Sequence, residues 1–197
     1  MRLIDKSELA SIAQRPSVAF ATAALEKTLP VASGTADVDS VLRSMLDELW
    51  AYQSAEPRAH TGTMSEAEAR ALPSGRFYFT YQARLINLIG DGQPRSRNLH
   101  DLLGAAIALI SFVVWVMHHE ERSVYPKKPL VIGNDIAEVT WETLQIGLAT
   151  LVDASPNPDN ALSWQRAVLQ SLATEHPASK DPNDFGRRIG RAYFFPN

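Results

Sequence analysis

The feature that most constrains this chain is a run of sixteen residues without a charged side chain, from Leu102 to Met117. A membrane-spanning helix needs about 20 apolar residues. The run is shorter, and it is bounded by Asp101 on one side and by the sequence His-His-Glu-Glu-Arg at 118–122 on the other. We therefore predict a central helix near residues 97–121 that is buried on all sides within a soluble bundle. A membrane-inserting or interfacial segment is the alternative.

Two amphipathic helices supply apolar faces that such a central helix can cover. Apolar residues recur at helical spacing between Asp37 and Gln53, and they end at Trp50. A second stripe predicts a helix that is capped by Asn134 or Asp135 and reaches Val152. Such continuous apolar stripes are typical of helices that pack on one face. The inner positions of the second stripe are Ala137, Trp141, Leu144, Leu148 and Leu151.

Shorter helices are predicted from caps and breakers. One begins at Ser7 and stops by Arg15, because the residue before a proline disfavours the α conformation. The next is capped by Ser17 and ends before Pro30. Ser65 and Glu68 form a capping-box pattern, which starts a short helix. A further helix is predicted over Asn160 to Thr174.

Three segments leave more than one interpretation. Residues 77–81 have strand composition, but we predict helix over 77–89. Residues 130–132 are short and are either extended or irregular. Residues 176–184 predict a mobile loop before a short C-terminal helix over 185–195, with Arg187, Arg188 and Arg191 outward. The sum is an all-α, single-domain bundle of about seven or eight helices that spans residues 1–197.

Composition excludes several classes of function. The chain has no cysteine, so disulfides and thiolate zinc sites are excluded. Its net charge is −3, and neither half carries the basic footprint of a nucleic-acid-binding protein. Asp5 and Glu8 interrupt the start of the chain before an apolar segment forms, which disfavours a secretory signal. We therefore expect a cytoplasmic protein with no direct nucleic-acid partner and no membrane partner.

The sequence His118-His119-Glu120-Glu121 is the strongest candidate for chemistry. Histidine and carboxylate side chains bind zinc or iron, and an enzyme or metalloprotein that uses this cluster is the alternative function. A helical metal site needs ligands three or four residues apart, however, and no second histidine lies one turn on. We interpret the cluster as the polar end of an apolar helix, where histidines suit the negative end of the helix dipole. We assign no catalytic residue, metal or cofactor.

Serine catalysis and phosphate binding lack their usual motifs. The chain has no Gly-x-Ser-x-Gly elbow. Gly90-Asp91-Gly92 is a turn that lacks the lysine and the strand–helix context of a phosphate loop.

Two acidic helix faces are the candidate partner-binding residues. Asp135, Glu138 and Glu142 lie on one predicted face, together with Gln145. A second predicted helix presents Asp39, Asp47 and Glu48. Carboxylates displayed on rigid helices match a basic protein and accelerate its capture. A solvated face of an ordinary amphipathic helix has the same composition.

A resemblance adds to this interpretation. The segment Ala19 to Pro30, followed by the helix that ends at Leu49-Trp50, resembles the start of the small all-α immunity proteins of the Imm5 family. The alanine-rich stretch 103–109 and the Trp141 helix are similar to its general plan, whereas Pro126-Lys127-Lys128-Pro129 departs from it. The resemblance implies a bacterial cytoplasmic antidote that binds and blocks a cognate toxin. It carries over no functional residue.

We therefore expect an immunity protein that forms a one-to-one complex with a protein toxin. The alternatives are the enzyme or metalloprotein named above, and a helical regulatory domain that binds a small ligand within the bundle.

Overall fold

The computed structural model describes residues 3–32, 36–55, 62–91, 96–132 and 138–196. Within these ranges the chain is mainly helical and forms no strand, apart from a single bridge between Ile12 and Pro177. The predicted all-α multi-helix bundle is confirmed. Its helices are α1 (Lys6–Leu9), α2 (Gln14–Ala32), α3 (Ala36–Ser54), α4 (Glu66–Ala71), α5 (Pro73–Arg76), a π-helix (Phe77–Gln82), α6 (Ala83–Gly90), α7 (Arg97–Val124), α8 (Trp141–Ala154), α9 (Pro158–Glu175) and a 3-10 turn (Arg191–Tyr193).

Helix α7 is the predicted central helix. Ser96 caps it by accepting a hydrogen bond from the backbone N–H of Leu99. It packs against α2, α5, α6, α8 and the π-helix. The helix is long and apolar enough to cross a membrane, and 67% of its most apolar 18-residue window is buried inside the structure. Neighbouring helices therefore cover the charge-free run on most of its circumference.

The closest neighbour of α7 is α8, and a glycine permits their approach. A Cβ atom added at Gly147 would lie 2.7 Å from a methyl carbon of Leu109. Leu144, Leu148 and Leu151 of the predicted inner stripe are buried, as expected, and Trp141 is half-buried. Ala137 lies outside the described residues. Burial of these apolar side chains between the two helices is the main favourable contribution of this contact.

The predicted start of this helix is wrong. Thr140 caps α8, because its hydroxyl oxygen accepts from the backbone N–H of Glu142, and Trp141 is the first helical residue. Val139 and Thr140 lie outside the helix, so the helix does not continue back to a cap at Asn134 or Asp135. Those two residues lie outside the described part of the chain.

The predicted start and end of α2 are both wrong. The helix begins at Gln14 and contains both Pro16 and Pro30, although we expected a cap at Ser17 and an end before Pro30. Pro16 lies in the first turn, where backbone N–H groups have no helical partner and proline is tolerated. The hydroxyl of Ser17 donates to the carbonyl of Ala13, 2.8 Å away, instead of capping the helix.

The other helix predictions are largely confirmed. Ser65 and Glu68 form the expected capping box. Residues 77–89 are helical as predicted, but the first six residues of this stretch form a π-helix rather than an α-helix. Tyr81 and Leu85 are buried there. Residues 130–132 form no strand.

The predicted C-terminal helix over 185–195 is wrong. Residues 185–190 have no regular secondary structure, and only Arg191–Tyr193 form a 3-10 turn. Gly186 has φ of 78°, a left-handed conformation that ends any helix through this segment. Phe185 and Ile189 are nevertheless buried, whereas Tyr193 is 37% exposed. The start of the preceding segment pairs with the N-terminus, since the backbone N–H of Ala178 donates to the carbonyl of Ser11, 2.8 Å away. The mobility predicted for 176–184 stays a prediction.

Candidate functional site

The His118–Glu121 cluster lies at the C-terminal end of α7, and the structure buries Glu120 in an ion-pair network. The Glu120 side chain is only 3% exposed. Its Oε1 atom accepts from Arg15 Nη2 at 2.7 Å and from Arg188 Nη2 at 2.6 Å. The hydroxyl of Tyr52 donates to Oε2. Both carboxylate oxygens are therefore occupied.

The partners of Glu120 come from three parts of the chain, namely α2, α3 and the C-terminal segment. Arg15 belongs to the first turn of α2 and also donates to the carbonyl of Gly186, 3.0 Å away. Arg188 lies over the Tyr52 ring, 4.3 Å from its centroid, and donates to the Tyr52 carbonyl at 2.6 Å. Burial and the Glu120 carboxylate raise the pKa of Tyr52, so the phenol stays a donor. The network fastens α2, α3 and the C-terminal segment to the end of α7.

Glu121 forms a second buried network on the other side of the helix. Its Oε1 accepts from the backbone N–H of Ser74 at 2.8 Å. Its Oε2 accepts from the Ser74 hydroxyl and from Lys128 Nζ, each at 2.5 Å. Lys128 Nζ also lies 3.3 Å from His118 Nδ1. Burial, followed by the charge of Lys128, lowers the pKa of His118 to about 4, so the imidazole is neutral at pH 7 and can accept from the ammonium.

These contacts give the cluster a structural role. Removal of water from a carboxylate is costly unless cations and donors replace it, and both Glu120 and Glu121 have such partners. His119 points to solvent and forms a hydrogen bond to the Trp115 carbonyl at 2.8 Å. In the part of the chain that the structure describes, no group of three or more histidine or acidic side chains could hold a metal ion. The geometry therefore does not favour the enzyme or metalloprotein alternative.

The sequence did not reveal these partners. Arg188 was expected to point outward, but its side chain is 7% exposed and paired with Glu120. The error follows from the predicted terminal helix, since the segment around Arg188 is not helical and its side chain reaches Glu120 and the Tyr52 carbonyl. Arg15 and Tyr52 carry no local signal, since they lie 105 and 68 residues from Glu120.

The acidic residues of α3 do not form one surface. Glu48 is half-buried; it pairs with Arg76 at 2.9 Å and accepts from the Tyr81 hydroxyl at 2.7 Å. Its carboxylate thus joins α3 to the π-helix. Asp47 is exposed on another side of α3, and Asp39 is half-buried. These three carboxylates therefore make a poor common docking surface.

The predicted face that contained Asp135, Glu138, Glu142 and Gln145 also changes. Asp135 lies outside the described residues, and Glu138 is exposed but precedes α8. Gln145 turns inward, where its Nε2 donates to the carbonyl of Ile4 at 3.0 Å. Glu142 alone of these four is an exposed residue of α8.

Helix α8 has a different outward face, which we name the α8 stripe: Glu142, Ile146 and Asp153. Their spacing of four and seven residues places them on one side of the helix. Ile146 is 55% exposed and lies between the two carboxylates along the helix. The two acidic residues are about 16 Å apart along the axis. The stripe therefore offers an apolar centre with negative ends.

Asp153 makes the α8 stripe unlike an ordinary solvated face. It lies in the last turn of α8, where the helix dipole disfavours negative charge, and no basic residue lies in that turn. Glu142 lies in the first turn, where negative charge is favourable. Sequence reasoning missed both Ile146 and Asp153, because the helix was expected to end at Val152 and only its polar stripe was considered.

No protein-family model, curated protein or solved structure matches the chain.

Proposed function

We propose that this protein is a cytoplasmic immunity protein that neutralises a cognate toxin by forming a one-to-one protein complex. The observation that carries the proposal is the α8 stripe, an exposed isoleucine between two carboxylates on a helix that packs along the central helix. Interfaces combine an apolar centre with a polar rim. The resemblance of residues 19–50 to immunity proteins supports the same class of function.

The charge of the α8 stripe specifies the partner. Glu142 and Asp153 are exposed, and one helix holds their backbone in place, so together they attract a basic surface. A toxin that acts on nucleic acid has such a surface at its cleft, because it must bind phosphates. The partner is therefore a toxin whose active cleft is basic, and the complex blocks that cleft.

The function is tested by co-expression with the product of the neighbouring open reading frame. We expect the protein to restore growth in cells that produce this product and to co-purify with it in equal amounts. Failure of both rescue and co-purification would refute the proposed function.

The role of the α8 stripe is tested by two charge reversals in matched positions. Glu142→Lys and Glu66→Lys each change an exposed glutamate in the first turn of a helix, so their effects on the helix dipole are alike. We expect Glu142→Lys to weaken the complex at least tenfold and Glu66→Lys to leave it unchanged. Ile146→Lys should weaken it further. Equal effects of Glu142→Lys and Glu66→Lys would place the interface elsewhere.

A further inference from the structure

A groove lies between α2, α3 and the C-terminal segment, and none of these elements contributes to the α8 stripe. Its volume is about 840 Å³. That volume lies within the range of sites for small molecules, about 300–1,000 Å³. Its apolar walls include Leu46, Trp50 and Phe195, and the Arg191 guanidinium lies over the Phe195 ring, 5.2 Å from its centroid. The groove therefore has the size and walls of a site for an aromatic molecule.

One wall of the groove is an internally neutral ion pair. Arg191 donates through Nη2 and Nε to Glu26 Oε1, at 2.6 and 2.8 Å. The indole Nε1–H of Trp50 donates to Glu26 Oε2 at 2.8 Å. Both oxygens of Glu26 are thus occupied, and the orientation of the Trp50 ring is fixed. This wall presents an ordered indole and contributes little net charge.

The remaining charged side chains leave the groove positive. They are Lys27, Arg43 and Asp47, two cations against one anion. Lys27 lies over the Trp164 ring, 5.2 Å from its centroid. Arg43 is exposed and has no carboxylate partner among the described residues. A guanidinium of this kind is available to form paired hydrogen bonds with a carboxylate.

We propose that this groove binds a small organic anion, namely an aromatic carboxylate. The aromatic body lies against Trp50 and Phe195, and the carboxylate is bound by Arg43 with Lys27 beside it. Asp47 disfavours a second negative charge, so the site prefers a monoanion. This inference is independent of the proposed toxin complex.

The test uses 2-naphthoate as the probe and the indole N–H signals of the four tryptophans in a ¹H–¹⁵N spectrum as the readout. Trp50→Phe assigns the Trp50 signal. We expect 2-naphthoate to shift that signal with a Kd of about 1 mM, the affinity typical of a fragment of this size. The cation 2-naphthylmethylamine should bind at least tenfold more weakly. The affinity for 2-naphthoate should also fall as salt screens the cations.

Matched variants locate the binding group. Arg43→Gln should weaken 2-naphthoate binding about tenfold, and Asp47→Asn should strengthen it about threefold, because one removes attraction and the other removes repulsion. Arg84→Gln, an exposed arginine on α6, is the control and should have no effect. All three of these side chains are exposed. Thermal unfolding verifies that each variant folds.

The proposal is overturned by any of three results. The first is no shift of the Trp50 signal at about 10 mM 2-naphthoate, roughly ten times the expected Kd. The second is that 2-naphthylmethylamine binds as tightly as 2-naphthoate. The third is that Arg43→Gln and the unmodified protein bind 2-naphthoate with equal affinity. Because the readout does not involve a toxin, failure here leaves the proposed function standing, and the reverse also holds.

Discussion

Replacement of Glu120 by glutamine distinguishes a structural carboxylate from a functional one. In the structure this side chain accepts hydrogen bonds from two guanidinium groups and a phenol, and it is 3% exposed. Glutamine has nearly the same shape, but its amide has only one acceptor oxygen and carries no charge. The Nη2 atoms of Arg15 and Arg188 both bind the same oxygen, so the amide N–H₂ group must face either these donors or the Tyr52 hydroxyl.

The expected loss of stability is about 3 kcal/mol. Removal of one partner from a buried ion pair costs about 3–5 kcal/mol, because the remaining charge is left without compensation. Arg188 is 7% exposed and meets this condition, whereas Arg15 is 18% exposed and recovers some hydration. The lower end of the range is therefore appropriate. For a chain of this length such a loss lowers Tm by about 6–12 °C.

The assay is urea unfolding followed by circular dichroism, with Glu120→Gln, Arg188→Met and the double variant compared. The double variant removes both members of the most buried pair, so we expect it to lose less stability than the sum of the single variants by at least 1 kcal/mol. A loss below about 1 kcal/mol for Glu120→Gln, or additivity of the two changes, would refute a structural role. If Glu120 served function instead of stability, its replacement by glutamine would leave the free energy of unfolding unchanged or raise it.

Three further predictions concern other parts of the fold. The pKa of His118 is lowered to about 4 from its usual value near 6.5, so the unfolded chain binds more protons than the folded protein between these values. The free energy of unfolding is therefore highest above pH 6.5 and falls by at most about 3 kcal/mol as the pH decreases to 4. Urea unfolding at pH 7 and pH 5 should show this loss in the unmodified protein and not in His118→Gln. Gly186→Ala should destabilise the protein by about 2–3 kcal/mol in the same assay, because φ is 78° and the new Cβ would lie 2.5 Å from the Cβ of Ala13. In the control variant Gly190→Ala the new Cβ meets no atom within 4 Å, so stability should change by less than about 0.5 kcal/mol. Asp153→Lys should raise the free energy of unfolding by about 0.3–1 kcal/mol by removing an unfavourable charge from the C-terminal end of α8, and unchanged or lower stability would contradict the dipole argument.

Local patterns in the sequence were sufficient for the class of fold. The charge-free run at 102–117 specifies a helix covered by others, and the stripe from Val38 to Trp50 specifies a helix with one covered face. The Ser65–Glu68 capping box marks a helix start through contacts within four residues. Each of these features depends on spacing along the chain alone, and each is present in the structure.

Boundaries and backbone detail were less predictable. A proline excludes helix only where it removes a hydrogen bond or forces a clash, and Pro16 lies in a first turn where it does neither. The π-helix at 77–82 has no sequence signal that separates it from an α-helix. Thr140 competes with Asn134 and Asp135 as a cap, and propensity alone does not choose among them.

The candidate sites depended still more on tertiary contacts. Glu142 was identified from its polar spacing, and the structure keeps it exposed. Glu48 has the same local appearance, but it is paired with Arg76 and Tyr81, which approach only in the folded chain.

The sequence by itself determined that this protein is a helical bundle around one apolar helix, because helical periodicity and the burial of apolar side chains are properties of local spacing. Only the tertiary structure decided what its charged residues do. Glu120 lies 105 residues from Arg15 and 68 from Arg188, and these charges become partners only when α2, α7 and the C-terminal segment meet. The pairing of a buried charge depends on distance in space and on the exclusion of water, and neither quantity is written in the order of the residues.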